Sequence, residues 1–535
     1  MFSLKKWLTP FILIMTQSIY AQTIIPEPVE MTVGKGTVFV IDGQTAIVAS
    51  STDELRSAAF LNNYLTTYYH FFLPITSKSN NLSVIRFVSK VWSNKKEFNK
   101  KGAYCLKINK KEITLQSSSP EGLFYAMQSL IQLLPMQTPL TLSETTVKDY
   151  PRFEYRGMHL DVVRHIFPVE FIKKYIDYLA FHKMNYFHWH LTDDQGWRIE
   201  SKKYPALNTI GSWRDGTIIG LFPGTGVDST RYGGYYTQEQ IREIVKYAHD
   251  RYITIVPEID IPGHSMAIIA SMPQFSTTPE LPKKVAITWG MYNRQNNVLA
   301  PSEAVFQFLS DVFNELMDLF PGNYIHLGAD ECAKKWWKES PETQEFMKQH
   351  SIADEEALQK YFIERVSDVI KSRGRKFIGW DDMYDSGLVD GAVVMAWRRN
   401  NKGAKAAQAG HNVIMAPINR VYFNVTQKEH DETLAHRDFI VTCDSTYHFE
   451  PAPQTLDAAA IQHIIGAEGC MWTEYFATEK AVEYGIFPRM SALSEVQWSL
   501  PQNKDWKKFR TKLNVQRKRY ALWGANYCDD VFKNE

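Results

Sequence analysis

The chain has 535 residues, with 60 basic and 59 acidic side chains and a formal net charge of +1. This balance gives no reason to expect nucleic acid or an anionic membrane surface as a partner. A hydrophobic fraction of 44% excludes a largely disordered chain, and the length suits a large barrel with an accessory domain.

Residues 1–21 have the pattern of a secretory signal peptide. Lys5 and Lys6 form a basic start, a short apolar stretch follows, and Ala21 fits a cleavage site. The apolar stretch is too short to cross a membrane, so we expect no membrane span. These features predict an exported protein, periplasmic or extracellular, and a buried N-terminal helix is the alternative.

Residues 22–148 are predicted to form a small, non-catalytic α+β domain. Strand-like apolar runs and helical apolar spacing both occur in this segment. The predicted strands cover residues 37–40, 84–88, 103–108 and 112–116, and the predicted helices cover 54–69 and 120–134. The segment 137–151 is rich in Pro and Thr, which is typical of a linker.

Between residues 152 and 500 the pattern becomes an alternation of strands and helices. Such alternation favours parallel strands, and eight of them are typical of a closed (β/α)8 TIM barrel. The eight apolar runs cover residues 157–160, 186–191, 253–256, 324–327, 377–380, 393–397, 413–416 and 464–472. Two loops, at about 211–236 and 272–300, are long enough to wall a site. Residues 501–535 are predicted to form a helical tail.

The five cysteines, Cys105, Cys332, Cys443, Cys470 and Cys528, are widely spaced and form no CxxC pair. A zinc site is therefore not indicated, and we predict no metal and no cofactor. We expect most of these thiols to be buried as small hydrophobic side chains. A disulfide would suit an exported protein, but the sequence selects no partners.

The fourth apolar run ends in an adjacent acid pair, Asp330 and Glu331. A β/α barrel places its chemistry at the C-terminal ends of its strands. Two neighbouring carboxyl groups there can hold different protonation states, which is the division of roles that glycoside hydrolysis needs. The other runs bring polar or aromatic residues to the same rim, namely Arg164, Asp193, Asp194, His264, Trp380, Trp397, Tyr422, Trp472 and Glu474.

With these motifs, the sequence resembles the β-N-acetylhexosaminidases of glycoside hydrolase family 20. The matching stretches are residues 156–164, 188–198, 257–264, 326–331 and 472–475. The resemblance covers nearly the whole chain after residue 21 and includes the family's N-terminal α+β domain. It implies an exo-acting, retaining enzyme that removes β-linked N-acetylglucosamine or N-acetylgalactosamine from N-acetylhexosamine-terminated glycans.

The resemblance also implies substrate-assisted catalysis, in which the 2-acetamido oxygen of the substrate attacks the anomeric carbon. Glu331 would be the general acid and then the general base, and Asp330 would accept a hydrogen bond from the acetamido N–H. Tyr422 would hydrogen-bond the acetamido oxygen. His264, paired with Asp193, would tune the acid.

Further residues are implied as sugar-binding groups. Arg164 and Glu474 would bind sugar hydroxyls. The aromatic side chains Trp380, Trp397 and Trp472 would surround the acetamido methyl and the sugar face.

Two positions depart from the family pattern. Ala329 stands where a second Gly usually precedes the acid pair, and we expect its methyl group to be tolerated. Asn424 stands where many members have an Asp that contacts the outer sugar hydroxyls near C6. An Asn keeps the shape and the hydrogen-bonding capacity of that Asp but loses its charge.

Two other functions are compatible with this barrel. One is a catalytically silent glycan-binding protein, which the intact Glu331, Asp330 and Tyr422 argue against. The other is a metal-dependent hydrolase, for which His188 and His190 would be candidate ligands. We expect His190 to pack under the barrel rim instead. The natural glycan, its linkage and the oligomeric state are left open.

Overall fold

The computed structural model describes residues 23–79, 83–398, 401–431, 434–453 and 455–533. The predicted signal peptide, residues 1–21, lies outside the described residues. Within these ranges the chain forms an N-terminal α+β domain followed by a closed parallel barrel, as predicted. No helix in the described part of the chain combines the length and the apolar character needed to span a bilayer.

The N-terminal domain is one seven-stranded sheet with two helices against it. Ser51 caps the first helix in a capping box with Glu54, and Ser119 caps the second helix, which begins at Pro120. In spatial order the strands are Glu30–Ile41, Leu140–Asp149, Tyr104–Ile108, Glu112–Ser117, Val84–Ser89, Ala46–Val48 and Ile75–Thr76. The helices are Thr52–Tyr69 and Pro120–Leu133.

The linker prediction for residues 137–151 is wrong. Most of this segment is the strand Leu140–Asp149, which pairs antiparallel with Glu30–Ile41 on one side and Tyr104–Ile108 on the other. Alternate residues of the strand face the core, so that Leu140 and Leu142 are fully buried. The Thr-rich composition concealed this alternation, and strand propensity for Thr is in fact high.

Asp149, at the end of that strand, fastens the N-terminal domain to the barrel. Its buried carboxylate accepts hydrogen bonds from the Tyr104 hydroxyl at 2.7 Å and from the Trp498 indole N–H at 3.0 Å. The Lys183 ammonium lies 3.1 Å from the same carboxylate. Because a buried charge requires such compensation, these contacts fix one arrangement of the two domains.

The barrel consists of eight parallel strands in sequential order, and the eighth pairs with the first. This confirms the predicted closure, and each predicted apolar run overlaps one strand. The strands are Tyr155–Asp161, Tyr186–His190, Thr254–Ile261, Tyr324–Gly328, Lys376–Trp380, Val393–Ala396, Val413–Met415 and Ile464–Gly469. All eight C-terminal ends therefore lie at one rim, where the polar residues that follow them can meet.

Helices cover the outside of the barrel and connect its strands. Thr237 and Gln240 form a capping box at the start of the helix Gln238–His249. The longer outer helices are Val169–Phe181, Gln238–His249, Glu303–Leu319, Pro341–Gln349, Glu355–Ser372, Glu479–Ile486 and Arg489–Trp498. Short helices are Met266–Ser271, Lys335–Lys338, Met383–Ser386, Lys402–Gln408, Ile418–Val421, Cys443–Tyr447 and Ala458–His463.

The C-terminal tail contains the predicted helix, Trp506–Leu522. Its buried residues Phe509 and Leu513 pack in a cluster with Ile25 and Tyr447, so the tail covers both the start of the described chain and the barrel. The thiols Cys332, Cys443, Cys470 and Cys528 are buried, as expected, Cys105 is half-buried, and all five are free.

Candidate active site

A cavity of about 240 Å³ opens at the C-terminal rim of the barrel. Its lining contains all but one of the predicted site residues, namely Arg164, Asp193, His264, Asp330, Glu331, Trp397, Tyr422, Asn424, Trp472 and Glu474. These residues come from widely separated parts of the sequence. They meet because parallel strands deliver their C-terminal ends to one place.

Trp380 is the predicted site residue that does not line the cavity. Its side chain is 1% exposed, and its indole N–H donates to Glu258 Oε1 at 2.9 Å. Its ring lies 5.9 Å from that of Trp472, which does line the cavity. Trp380 therefore supports the aromatic wall from beneath.

A turn with unusual backbone angles presents the acid pair. The fourth barrel strand ends at Gly328 with φ +66°, and Ala329 and Glu331 follow with φ +72° and +42°. A Cβ at Gly328 would lie 1.8 Å from Asp260 Oδ1, so this position requires glycine. Strained backbone of this kind is common where side chains are aimed at a reacting group.

Ala329 fits this turn although its backbone is left-handed. The residue is fully buried, its N–H donates to the Ile261 carbonyl at 3.0 Å, and its carbonyl accepts from Gln359 Nε2 at 2.8 Å. These bonds hold the alanine in a conformation that costs about 1–2 kcal/mol for a residue with a Cβ. The methyl group is thus accommodated, as expected, at the expense of local strain.

His264 connects the acid pair to a buried aspartate. Its Nδ1 lies 3.0 Å from Asp193 Oδ1, and its Nε2 lies 3.6 Å from Glu331 Oε2 and 3.8 Å from Asp330 Oδ2. Burial opposes the imidazolium, but Asp193 and Asp260 raise the pKa of His264 well above its ordinary value. His264 is therefore a cation placed between the buried carboxylate and the two acids.

Arg164 completes the surroundings of Asp193. Its guanidinium lies 2.6 Å from Asp193 Oδ2 and 3.2 Å from Asp161 Oδ2, and it donates to Gln195 Oε1 at 2.9 Å. Although burial favours the protonated form, the cations Arg164 and His264 hold the pKa of Asp193 well below its ordinary value. The guanidinium also packs 5.1 Å from the Trp472 ring, where it faces the cavity.

The pKa values of the two adjacent acids are shifted in opposite directions. Burial, together with Asp382 and Glu331, raises the pKa of Asp330 to about 7 against the opposing effect of His264. Burial also acts on Glu331, but the neighbouring His264 outweighs it and lowers the pKa of Glu331. The Glu331 side chain is 44% exposed in the open cavity.

Tyr422 and Trp397 form the opposite wall. Tyr422 follows the seventh strand, where hydrogen bonds between residues 421–423 and Cys470 fix its backbone. Its ring stacks on Trp397 with centroids 6.2 Å apart, and the Trp397 indole donates to Asp382 Oδ2 at 2.9 Å. Burial keeps the pKa of Tyr422 well above its ordinary value, so the hydroxyl is a neutral donor.

A chain of buried acids and imidazoles continues from the cavity into the barrel. His190 Nε2 lies 2.9 Å from Asp193 Oδ2, and its Nδ1 contacts Glu258. Glu258 Oε2 is 3.2 Å from His188 Nε2, and His188 Nδ1 is 2.7 Å from Glu468 Oε1. His190 thus lies under the rim, as expected.

Several described side chains have the spacing of metal ligands. Two such groups in the barrel interior share Glu258, one with His159 and His190 and one with His188 and His326. All five residues are fully buried and Glu258 contacts His188, His190 and His326, although the Nε2 atoms of His159, His188 and His326 have no hydrogen-bond partner. This donor set therefore fits an internal charge network better than an open catalytic metal site, which needs a free coordination position.

The sequence did not reveal six lining residues, which are Asp260, Ile418, Val425, His436, Asp438 and Phe439. Most lie in the segment after the seventh strand, which has little regular structure and no motif. Asp260 belongs to one of the matching stretches, 257–264, but the resemblance gives it no role, and it packs against Gly328. These residues could be recognised as part of the site only from the folded structure, in which the loop after the seventh strand lies over the rim.

The two long loops were predicted as site walls, and this is wrong for the described cavity. None of the lining residues belongs to 211–236 or 272–300. The loops brace the rim from outside: Asn297 Nδ2 donates to Asp194 Oδ2 at 3.0 Å, and the Phe222 N–H donates to the Tyr475 hydroxyl at 3.2 Å. The length of a loop does not tell whether it lines the cavity or only contacts the residues around it.

Comparison with protein families gives two adjacent matches. Residues 153–501 match the model "Glycosyl hydrolase family 20, catalytic domain", and residues 21–150 match "Glycosyl hydrolase family 20, domain 2". The two matches together include every residue that lines the cavity.

Curated relatives and solved structures agree with these matches. The chain is 37% identical to a β-hexosaminidase of Porphyromonas gingivalis over 94% of its length, and 34% identical to one of Vibrio furnissii over 85%. It spans 64% and 74% of those two proteins, respectively. A Vibrio harveyi GH20 exo β-N-acetylglucosaminidase in complex with N-acetylglucosamine superimposes with a TM-score of 0.83 at 30% identity, covering 95% of this chain and 78% of that one.

Proposed function

Because the chain belongs to glycosyl hydrolase family 20, we propose that it is an exo-acting, retaining β-N-acetylhexosaminidase. Its substrates would be glycans that end in β-linked N-acetylglucosamine or N-acetylgalactosamine. The observation that carries this proposal is the position of His264, whose Nε2 is within 4 Å of both Asp330 and Glu331 at the cavity. In this proposal Glu331 is the acid, Asp330 the anion and His264 the group that tunes them.

Glu331 is the general acid in this proposal. In the open cavity its carboxyl group is partly exposed and faces the His264 cation. A sugar ring that fills the cavity removes water from this carboxyl group, which raises its pKa toward the range where it holds a proton. The proton passes to the glycosidic oxygen as its bond to the anomeric carbon breaks. The resulting carboxylate then takes a proton from a water that attacks the anomeric carbon, and the bond from that carbon to the acetamido oxygen breaks, which restores the acetamido group.

Asp330 acts on the other reacting group, the 2-acetamido substituent. The acetamido N–H donates to the Asp330 carboxylate, and the acetamido oxygen forms the new bond to the anomeric carbon, giving an oxazolinium ion. Both the hydrogen bond and the developing positive charge favour ionised Asp330, so substrate lowers a pKa that is near 7 in the open cavity. Substrate therefore shifts the pKa values of the two acids in opposite directions.

The remaining lining residues hold the sugar. The Tyr422 hydroxyl is placed to donate to the acetamido oxygen, and Trp397 and Trp472 supply flat apolar surfaces for the methyl group and the ring. Arg164 and Glu474 supply charged partners for the sugar hydroxyls. No side chain becomes covalently attached to the sugar in this scheme, which is an exception to the usual two-carboxylate mechanism.

Export of the protein is also proposed, on the basis of the signal-like pattern of residues 1–21. An exported hydrolase would meet its glycans in the periplasm or outside the cell. Fractionation of expressing cells, followed by N-terminal sequencing of the mature protein, tests this: cytoplasmic protein that retains Lys5 and Lys6 would contradict it.

Release of 4-nitrophenol from its β-N-acetylglucosaminide and β-N-acetylgalactosaminide tests the activity. Proton NMR of the first-formed sugar tests retention, and the β anomer is expected. A glycan-binding protein without activity would bind N-acetylglucosamine but release no nitrophenol. A metal-dependent hydrolase would lose its activity on treatment with a chelator, whereas the proposed enzyme retains it.

A further inference from the structure

His436 lines the cavity but has no role in the proposed mechanism. Its backbone N–H donates to the Asn424 carbonyl at 3.1 Å, and its own carbonyl accepts from the Thr426 N–H at 3.0 Å. The ring lies 5.1 Å from that of Tyr475. These contacts fix the imidazole relative to the segment that carries Tyr422 and Asn424.

The imidazole faces the carboxylate of Glu474. His436 Nε2 lies 3.7 Å from Glu474 Oε1. Among the described residues, His436 is the one cationic side chain within ion-pair distance of Glu474, because the guanidinium of Arg164 contacts Asp161 and Asp193 instead. Glu474 Oε2 is buried at the cavity wall without a hydrogen-bond partner.

Because Oε2 is buried and has no partner among the described residues, the contact of His436 with Oε1 is the ionic contact that sets the direction of this carboxylate. We propose that His436 is a positioning residue for sugar binding: it holds the Glu474 carboxylate in the orientation in which it can accept a hydrogen bond from a sugar hydroxyl. This rests on the sugar-binding role of Glu474 in the proposed function. His436 itself need not touch the sugar.

The charges around His436 set the pH range of this effect. Burial and the more distant Arg164 oppose the imidazolium, while Glu474 and Asp438 favour it, and the net result is a raised pKa for His436. The same pair affects Glu474, because His436 and Arg164 outweigh burial and lower the pKa of Glu474 to about 2. Glu474 stays ionised over the working range, so His436 is the member of the pair that titrates.

The raised pKa of His436 determines how the ion pair with Glu474 depends on pH. The ion pair is complete below the ordinary imidazole pKa and is lost as pH rises through the higher pKa of His436 in the folded protein. Glu474 then keeps its charge but loses the group that orients it. We expect KM for an aryl N-acetylglucosaminide to rise with pH in this range, while kcat does not follow the same titration.

His436→Gln keeps a polar donor of similar reach but removes the charge. We expect KM to rise about fivefold at pH 6, as for the loss of one partly exposed ion pair, and its dependence on pH to disappear. His436→Phe removes the donor as well and should raise KM further. The matched control is His448→Gln, since His448 is also paired with a carboxylate, Asp444 at 3.2 Å, but lies on the surface away from the cavity.

The experiment measures KM and kcat from pH 5 to 9 for the full chain and the three variants, with the thermal melting temperature as a check on folding. Calorimetric titration with N-acetylglucosamine gives Kd independently of hydrolysis. A variant His436→Gln whose KM and Kd keep the wild-type values and pH dependence overturns the role of His436. If the wild type binds the sugar with the expected pH dependence but hydrolyses nothing, the inference stands and the hydrolase proposal fails.

Discussion

His264 Nε2 lies 3.6 Å from Glu331 Oε2, beyond the length of a normal hydrogen bond but within reach of electrostatic attraction. The imidazole therefore influences the charge of this acid without holding it rigidly. A substrate that enters between the walls can alter this contact. We therefore expect defined effects when the two acids, or the backbone turn that carries them, are substituted.

Glu331→Gln should reduce hydrolysis of substrates with poor leaving groups by ~10²–10⁴-fold, as for the loss of a general acid. Activated aryl glycosides should be affected less because their leaving oxygen needs little protonation. The measurement is kcat/KM for 4-nitrophenyl N-acetylglucosaminide and for chitobiose, wild type against variant. An equal loss on both substrates would remove Glu331 from the acid role.

Asp330→Asn should lower kcat and yet stabilise the folded protein at high pH. The folded-state pKa of Asp330, about 7, is above its ordinary value, so the fold loses stability as pH rises from the ordinary value to about 7, and above that the full destabilisation by the buried anion is present. The gain from removing it is roughly 2–4 kcal/mol at pH 8. Thermal melts at pH 4 and pH 8 should show stabilisation only at pH 8. Equal melting temperatures of variant and wild type at both values would contradict the raised pKa.

The substrate-assisted scheme predicts strong inhibition by a thiazoline analogue of the oxazolinium ion. Ligands that resemble a transition state bind ~10²–10⁸-fold more tightly than substrates. Inhibition constants for wild type and Asp330→Asn should differ markedly, because the analogue's ring nitrogen loses its anionic partner. Mass spectrometry that finds a sugar bonded to a side chain would falsify the scheme.

Gly328→Ala should destabilise the protein by about 3 kcal/mol or more and abolish activity. The added Cβ would lie 1.8 Å from Asp260 Oδ1 and 2.8 Å from Asp260 Cα, and the backbone is left-handed. The control is Gly374→Ala, which has a similar φ of +69° but nothing within 4 Å of the new carbon. That variant should lose only about 1–2 kcal/mol and keep its activity. Denaturant titrations give the free energy of unfolding of both variants. The difference between them separates the steric clash at Gly328 from the backbone strain that both share.

Asn424 is predicted to relax selectivity against 6-sulfated sugars. It is 3% exposed, lines the cavity, and its Oδ1 has no partner. An Asp here would repel a sulfate ~4 Å away by about 4 kcal/mol at an effective dielectric of ~20. The test compares kcat/KM on plain and 6-sulfated aryl N-acetylglucosaminide for wild type and Asn424→Asp. If the ratio does not change on substitution, Asn424 carries no selectivity.

The position of the acid pair could be predicted because it depends only on where one strand ends in the sequence. Six of the eight barrel strands end within one residue of the end of their apolar runs, and parallel strands place all the strand ends at one rim. Thus Asp330, Glu331, His264 and Arg164 could be grouped from the chain alone, and the structure brings them together around one cavity.

The tertiary structure decided what depends on contacts between distant segments. Trp380 is buried under the wall because Glu258, 122 residues earlier, accepts its indole N–H. His436 lines the cavity because an irregular loop folds over the rim, and no periodicity marks such a loop. The strand Leu140–Asp149 formed because two partner strands were available on either side, which composition does not reveal. The local sequence pattern determines the helices and strands and where they end. Which side chains are buried, which strands pair and which groups are charged depend on contacts that exist only in the folded protein.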